Sequence, residues 1–221
     1  MKKEAVVIED LSLALGGRPI FDQVNFQANY GEVTGLVGPN GSGKSVFFKI
    51  ISGFIRGQGS SISVNNTELL HTTKFPPNLG TLIEEPYFLN GISGLDNLLL
   101  LASIRNTIGR QQIINYMDEF SLPIDKQHVK VYSLGMKKKL GIIQAIMEQQ
   151  TLVLLDEPMN ALDEASVGFT RKLIRDMAEK ENRSIILTSH NAGDIETLCD
   201  QVYHIEERRL VPVKRVVDAV Q

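Results

Sequence analysis

The chain predicts an α/β protein with a parallel sheet core, a small antiparallel β subdomain ahead of it and a helical subdomain inserted within it. Three observations carry that prediction. The β-branched segment Glu32–Val37 runs into a glycine-rich turn and then into an apolar-faced helix at Val46–Ile51. Two continuous apolar runs, Leu152–Leu155 and Ser184–Thr188, are separated by a helical pattern, which suits parallel strands covered on both faces. Between the β-rich parts, residues 86–149 place their apolar residues mostly at helical spacing.

The elements follow in order. Ala5–Ile8, Leu11–Leu15 and Val24–Ala28 read as short strands, and Gly16-Gly17-Arg18-Pro19 is a turn between them. Residues 3–30 therefore read as a small antiparallel sheet leading into Glu32–Val37. A polar loop at Gly57–Ser61, a strand at Ile62–Val64 and a turn at Asn65-Asn66 come next. Pro76 and Pro77 exclude helix, and Leu79–Ile83 is a further strand that ends in Glu84-Glu85-Pro86. The inserted block holds helices at Gly94–Arg105, Arg110–Phe120 and Met136–Gln149, with Ser121-Leu122-Pro123 as a break. The α/β rhythm returns with the strand Leu152–Leu155 and a helix at Asp163–Lys180 that turns Phe169, Leu173, Ile174 and Met177 inward. The strand Ser184–Thr188 and a helix at Ala192–Leu198 follow. The expected organisation is one domain over 1–221. Its α/β core with the antiparallel subdomain is drawn from 1–85 and 150–221, and the helical insertion spans 86–149. There is no internal repeat and no low-complexity tract.

Composition bounds the function. Hydrophobic content of 43% and charged content of 22% are those of a soluble globular protein. A net charge of −3 gives no electrostatic case for nucleic acid as a partner. The single cysteine, Cys199, has no intrachain disulfide partner and fits a reducing compartment. No apolar run approaches the roughly 20 residues needed to span a bilayer, and Glu4, Glu9 and Asp10 interrupt any signal-peptide core. A cytoplasmic protein is expected, whose membrane role would be borrowed from a partner.

Chemistry concentrates in three places. Gly38-Pro39-Asn40-Gly41-Ser42-Gly43-Lys44-Ser45 matches the P-loop pattern G-x-x-x-x-G-K-[ST] between a strand and a helix. Its glycines let successive N–H groups point inward, and the helix dipole favours an anion there. Lys44 would reach the β- and γ-phosphates and Ser45 would ligate Mg²⁺, so a nucleoside triphosphate is the expected ligand. Asp156-Glu157 stands just past a buried strand, at the edge where parallel sheets bind ligands. Asp156 would hold Mg²⁺ through water, and Glu157 would polarise the attacking water as general base. His190 follows the next strand and would donate a hydrogen bond to the γ-phosphate. Lys137, Lys138 and Lys139 sit in a helix's first turn, where the dipole disfavours them. Either a polyphosphate faces that helix, or they form a solvated basic turn. His71, His128 and His204 have no comparable context.

In order and spacing these motifs resemble the nucleotide-binding subunit of an ABC transporter, over nearly the whole chain. Gly38–Ser45 resembles its Walker A and Tyr132–Met136 its signature motif. Asp156-Glu157-Pro158 is similar to its Walker B, Asn160-Ala161-Leu162-Asp163 to its D-loop and His190 to its switch histidine. The resemblance implies a RecA-like P-loop NTPase core, ATP and Mg²⁺ as cofactors, and an ATPase coupled to transport. It implies nucleotide contacts from Gly38 to Val46. It also implies a head-to-tail homodimer, or a heterodimer with a second ATPase subunit. In that dimer Ser133, Leu134, Gly135 and Met136 face the γ-phosphate bound by the other subunit. A separately encoded membrane-spanning permease would hold the chain at the inner face of the plasma membrane.

Five positions, in four motifs, depart from the common pattern. Leu134 replaces the first signature glycine and Met136 the glutamine; Glu84 stands where a glutamine normally senses Mg²⁺ and the permease. Both variants are usual in the bacitracin- and lantibiotic-exporter branch that the chain resembles, which implies export of peptide antibiotics or similar amphipathic compounds. Val46 replaces a threonine, and Leu15 lies where an aromatic normally stacks on adenine, which implies poor selection of ATP over GTP. The alternatives are a nucleotide-gated regulatory module with little turnover, a soluble non-transport ABC ATPase, and another P-loop enzyme. The last is disfavoured because the chain lacks an N-K-x-D guanine motif.

Overall fold

The structure, a computed structural model, describes residues 3–59, 61–70 and 75–213; Met1, Lys2, Ser60 of the polar loop and His71 lie outside the described residues. A four-stranded antiparallel sheet is formed by β1 (Glu4–Leu15), β2 (Arg18–Asn29), β4 (Ser61–Val64) and β5 (Thr67–Glu68), in the order β2-β1-β4-β5. The first two are long strands rather than the three short segments expected. Asp10 and Gln23 adopt left-handed φ of 53° and 49°, and the β1–β2 register slips at four places, which hides two continuous strands behind broken alternation.

The central sheet comprises β3 (Val33–Val37), β6 (Leu79–Leu82), β7 (Leu152–Leu155), β8 (Ser184–Leu187), β9 (Gln201–Glu206) and β10 (Arg209–Val213), in the order β10-β9-β3-β8-β7-β6. All neighbours are parallel except the β9–β10 hairpin. Strands β9 and β10 carry no reading in the sequence analysis. Their turn is Glu207-Arg208, both at positive φ, where glycine or asparagine would ordinarily mark it. Pro212 is tolerated because β10 is an edge strand.

Burial explains the continuous apolar runs. Leu152, Leu154 and Ile186 pack into one core with α1 (Lys44–Ile51) and the antiparallel sheet. Their neighbours Val153, Leu155, Ile185 and Leu187 pack into a second core with α2 (Gly94–Arg105), α3 (Arg110–Glu119), α4 (Leu134–Ile146), α5 (Glu164–Glu179) and α6 (Ala192–Leu198). Both faces of each strand are thus removed from water. In the first core, Phe47 of α1 meets Phe21 and Phe26 edge-on, with centroids 5.7 and 5.0 Å apart. This seats α1, and hence the turn before it, on the antiparallel sheet.

Helix α4 lies directly on β6. A Cβ at Gly80 would stand 1.7 Å from the Ala145 carbonyl oxygen, and one at Gly141 would stand 2.8 Å from the Leu82 side chain. Two glycines facing across the contact let helix and strand backbones approach this closely. None of the described helices is long and apolar enough to cross a membrane.

Candidate active site

The strand ends gather the polar residues. Helices α2, α4, α5 and α6 start from side-chain caps: Ser93, Ser133, Asp163 and Asn191 each accept from a first-turn N–H. Helix α1 starts from Gly43 at φ 109°, with no side-chain cap. Its first N–H groups are left for an anion from outside the chain. A Cβ on Gly43 would also meet the Phe21 ring at 3.0 Å, so the loop's path depends on the missing side chain.

Within the loop, Lys44 Nζ donates to the carbonyls of Gly38 (2.7 Å) and Pro39 (3.2 Å). Burial lowers the Lys44 pKa, and the carboxylates of Glu157 and Asp156 oppose that shift. Ser45 Oγ donates to Asp156 Oδ2 at 2.7 Å, and Thr188 Oγ1 donates to Oδ1 at 2.7 Å. Asp156 is buried, and its carboxylate is held by the Ser45 hydroxyl of α1 and the Thr188 hydroxyl just past β8. Ser42 Oγ is buried with no partner among the described residues.

Glu157 has a left-handed φ of 50°. Its Oε2 accepts from the His190 N–H, and its Oε1 lies 3.3 Å from His190 Nε2. Burial pushes the Glu157 pKa up, and His190 is the first influence to pull it back. Lys44, Ser45, Val46, Glu84, Leu134, Lys138, Asp156, Glu157, Asn160, Ala161 and His190 line one cleft of about 530 Å³.

Of the residues singled out by sequence, Leu134, Asn160 and Ala161 line the cleft, whereas Ser133, Gly135, Met136, Leu162 and Asp163 lie outside its lining. Leu134 is the first residue of α4, in ordinary helical backbone, so a side chain there costs no strain. Gly135 makes the close approach: a Cβ there would be 2.5 Å from the Ala161 carbonyl oxygen. Ser133 Oγ accepts from the Met136 N–H at 3.2 Å. Asp163 is held down to about 2 by the Ser166 N–H and hydroxyl, and pairs with Lys139 at 3.3 Å. Leu162 packs at the edge of the helical core. Glu84 lines the cleft, but its carboxylate pairs with Lys49 at 2.6 Å. Two of the three lysines of α4 are thus engaged within the chain, Lys139 by Asp163 and Lys138 by the Asp156 carbonyl. Leu15 is exposed at the β1–β2 hairpin and does not line the cleft. Cys199 packs against Gly35, and burial pushes its thiol up to about 12, away from the thiolate form.

Sequence reasoning missed Thr188 and Lys49, and it singled out Lys138 only as one of three first-turn lysines, without its bond to the Asp156 carbonyl. Register, which only the structure displays, brings Thr188 to the site: β7 and β8 pair Leu155 with Leu187, which sets Asp156 beside Thr188.

The donor set suits Mg²⁺ with ATP. Ser45 Oγ and Asp156 Oδ2 are adjacent hard oxygens, and no group of three or more His, Cys, Asp or Glu forms a metal cage among the described residues. Mg²⁺ favours this arrangement, because it takes few protein oxygens and completes its shell with phosphate and water. When bound, it would neutralise phosphate charge.

A parallel sheet carrying a P-loop, an acidic pair and a histidine at one edge defines a P-loop NTPase. The chain belongs to the ABC transporter family, whose model matches residues 21–160, more than half of the chain. It is 33% identical over 213 residues to the uncharacterised ABC transporter ATP-binding protein YdbJ of Bacillus subtilis, covering 94% of this chain and 68% of that protein. It is 32% identical to the lantibiotic transport ATP-binding protein SrtF of Streptococcus pyogenes (92% and 88% covered). It is 30% identical to the bacitracin transport ATP-binding protein BcrA of Enterococcus faecalis (92% and 67% covered). Its fold matches an ATP-binding subunit of an ABC transporter with a TM-score of 0.85 at 23% identity, covering 95% of this chain and 89% of that one. It also matches the dimeric cassette MJ0796 bound to ADP and Pi with a TM-score of 0.82 at 16% identity, covering 96% and 98%. It is an ABC ATPase and the ATP-binding subunit of a transporter.

Proposed function

We propose that this ATPase powers an exporter of peptide antibiotics or similar amphipathic compounds, through a separately encoded permease at the inner face of the plasma membrane. The single observation that carries the ATPase chemistry is the cluster of Lys44, Ser45, Asp156, Glu157 and His190 at one cleft. Similarity to SrtF and BcrA supports the exporter class. Exposed Phe54, Phe75, Tyr87, Leu100 and Ile104 offer apolar surface for a permease.

In this reading residues 38–46 hold the triphosphate on the N-terminus of α1. Lys44 turns from its two carbonyl partners to the phosphates. Ser45 and Asp156 would hold Mg²⁺, and Glu84 would join them on leaving its pair with Lys49. Glu157, half-buried and raised in pKa, takes the proton of the attacking water, and His190 orients that carboxylate and contacts the γ-phosphate. A second copy supplies Ser133–Met136 across a two-fold interface, with Asn160–Asp163 lining it. Residues 86–149 move as a subdomain during closure, while 1–85 and 150–221 carry the nucleotide.

The test is Mg·ATP hydrolysis by the purified chain beside Glu157→Gln, with size exclusion of each in ATP. The proposal expects turnover in the parent, its loss in the variant and an ATP-dependent dimer trapped by the variant. Binding without turnover in both would instead make the chain a nucleotide-gated regulatory module.

A further inference from the structure

Lys138 is a buried cation that the phosphate chemistry above does not use. It lies on α4, one turn past the Ser133 cap, is 9% exposed, and lines the same cleft as Lys44. Lys138 Nζ donates to the main-chain oxygen of Asp156 at 3.0 Å. The other end of that same peptide unit is also held, because the Glu157 N–H donates to Thr188 Oγ1 at 2.9 Å. The next backbone angle is the left-handed φ of Glu157, at 50°. A non-glycine residue holds such an angle only where its surroundings enforce it, at a cost of order 1–3 kcal/mol.

We propose that Lys138 is a positioning residue: together with Thr188 it clamps the Asp156–Glu157 peptide plane and so fixes the Glu157 carboxylate against His190. The plane's orientation and the φ of Glu157 are one degree of freedom. Turning the plane would take its oxygen from Lys138 and its N–H from Thr188. It would also let Glu157 relax to negative φ and swing its carboxylate off the His190 N–H. A charged donor suits this task, since an ammonium–carbonyl bond is stronger than a neutral one. Burial lowers the Lys138 pKa, and the nearby carboxylates of Asp156, Glu157 and Glu85 favour its charged form. The clamp also joins two parts of the molecule. Ser133, Gly135 and Lys138 share the first turns of α4, so the geometry of the base depends on how α4 is seated.

This inference rests on the reading of Glu157 as base, and its test separates the two. Lys138→Met keeps the apolar stem and removes the donor; Lys138→Arg keeps a cationic donor. Turnover, KM for Mg·ATP and melting temperature are measured for both in the full chain. Misplacing a catalytic group by about 1 Å costs up to about a hundredfold, so Lys138→Met is expected to lose 10–100-fold in kcat, with KM within about twofold. Lys138→Arg is expected to recover most of that loss. Parental kcat in Lys138→Met, a matched change in kcat and KM, or an Arg variant no better than Met overturns the proposal. If Lys138→Met fails to fold, Thr188→Val removes the other end of the clamp, and parental turnover in that variant overturns it equally. A parent that binds ATP without hydrolysing it overturns the reading of Glu157 and this inference together. A hydrolysing parent matched by Lys138→Met overturns the inference alone.

Discussion

Gly80→Ala tests the packing that seats α4 on the sheet. The new Cβ would stand 1.7 Å from the Ala145 carbonyl oxygen and 2.8 Å from its carbon. An ordinary carbon–oxygen contact lies near 3.3 Å, so strand and helix must separate by roughly 1.5 Å. Both atoms are main chain of Ala145 in α4, so no side chain can turn aside to relieve the contact. Overpacking costs about 1–3 kcal/mol in general, and a backbone clash belongs at the upper end. Replacing a strand glycine returns about 0.5–1 kcal/mol, which leaves a net loss of about 2–3 kcal/mol. For a chain of this size that is a fall of roughly 4–12 °C in melting temperature. Urea unfolding and thermal melts measure it, with Gly168→Ala as control. Gly168 is exposed on α5 with nothing within 4 Å of its added Cβ, so alanine there is expected to stabilise by up to about 1 kcal/mol. The displaced α4 should also lower turnover more than nucleotide affinity. A Gly80→Ala protein that melts with the parent would refute the close-approach account.

Further predictions concern charge. Glu157 has a raised pKa in the fold, so the neutral form is favoured there; this contributes stability below the unfolded value near 4.5 that is lost as pH rises through the folded value. Glu157→Gln should therefore melt above the parent at pH 8, and the gap should close below pH 4.5. The acid limb of kcat should lie above pH 4.5, and it should move up in His190→Ala, because His190 pulls the Glu157 pKa down. Asp194 is 2% exposed and accepts from Arg171 Nε at 2.8 Å and Ser189 Oγ at 2.7 Å. Arg171→Met leaves that carboxylate underpaired and should cost about 2–3 kcal/mol by urea unfolding, less than a fully buried pair because Arg171 is partly exposed. Leu15→Tyr should tighten ATP binding by about 1–2 kcal/mol, the scale of base stacking, in a fluorescent-nucleotide titration. Unchanged affinity would place the base elsewhere.

Much of this was legible because its signals are local. The P-loop is a run of eight residues bounded by its strand and helix, and the structure places it between β3 and α1. The apolar runs at 152–155 and 184–187 are parallel central strands with both faces buried. The β9–β10 hairpin escaped because two charged residues make its turn and a proline sits in its edge strand. Bulges in β1 and β2 broke the alternation that marks a strand. Within the site, Lys44, Asp156, Glu157 and His190 were legible from motif spacing. Thr188 and Lys138 were not, since they act through a main-chain peptide unit, and sequence does not display which backbone groups need holding. Glu84 was read as a metal-side residue, and its bond to Lys49 follows from a meeting of α1 with the end of β6 that no motif encodes.

The measurement that tests the central proposal most directly mixes two damaged chains. Lys44→Ala removes the phosphate lysine and keeps Ser133; Ser133→Arg blocks the signature turn and keeps Lys44. Each alone is expected to be inactive. In a head-to-tail dimer, a mixed pair regains one complete site, so an equimolar mixture should recover about a quarter of parental Mg·ATP hydrolysis. A mixture as inactive as its components, formed under conditions where the parent dimerises and hydrolyses ATP, would contradict a site completed by the second copy.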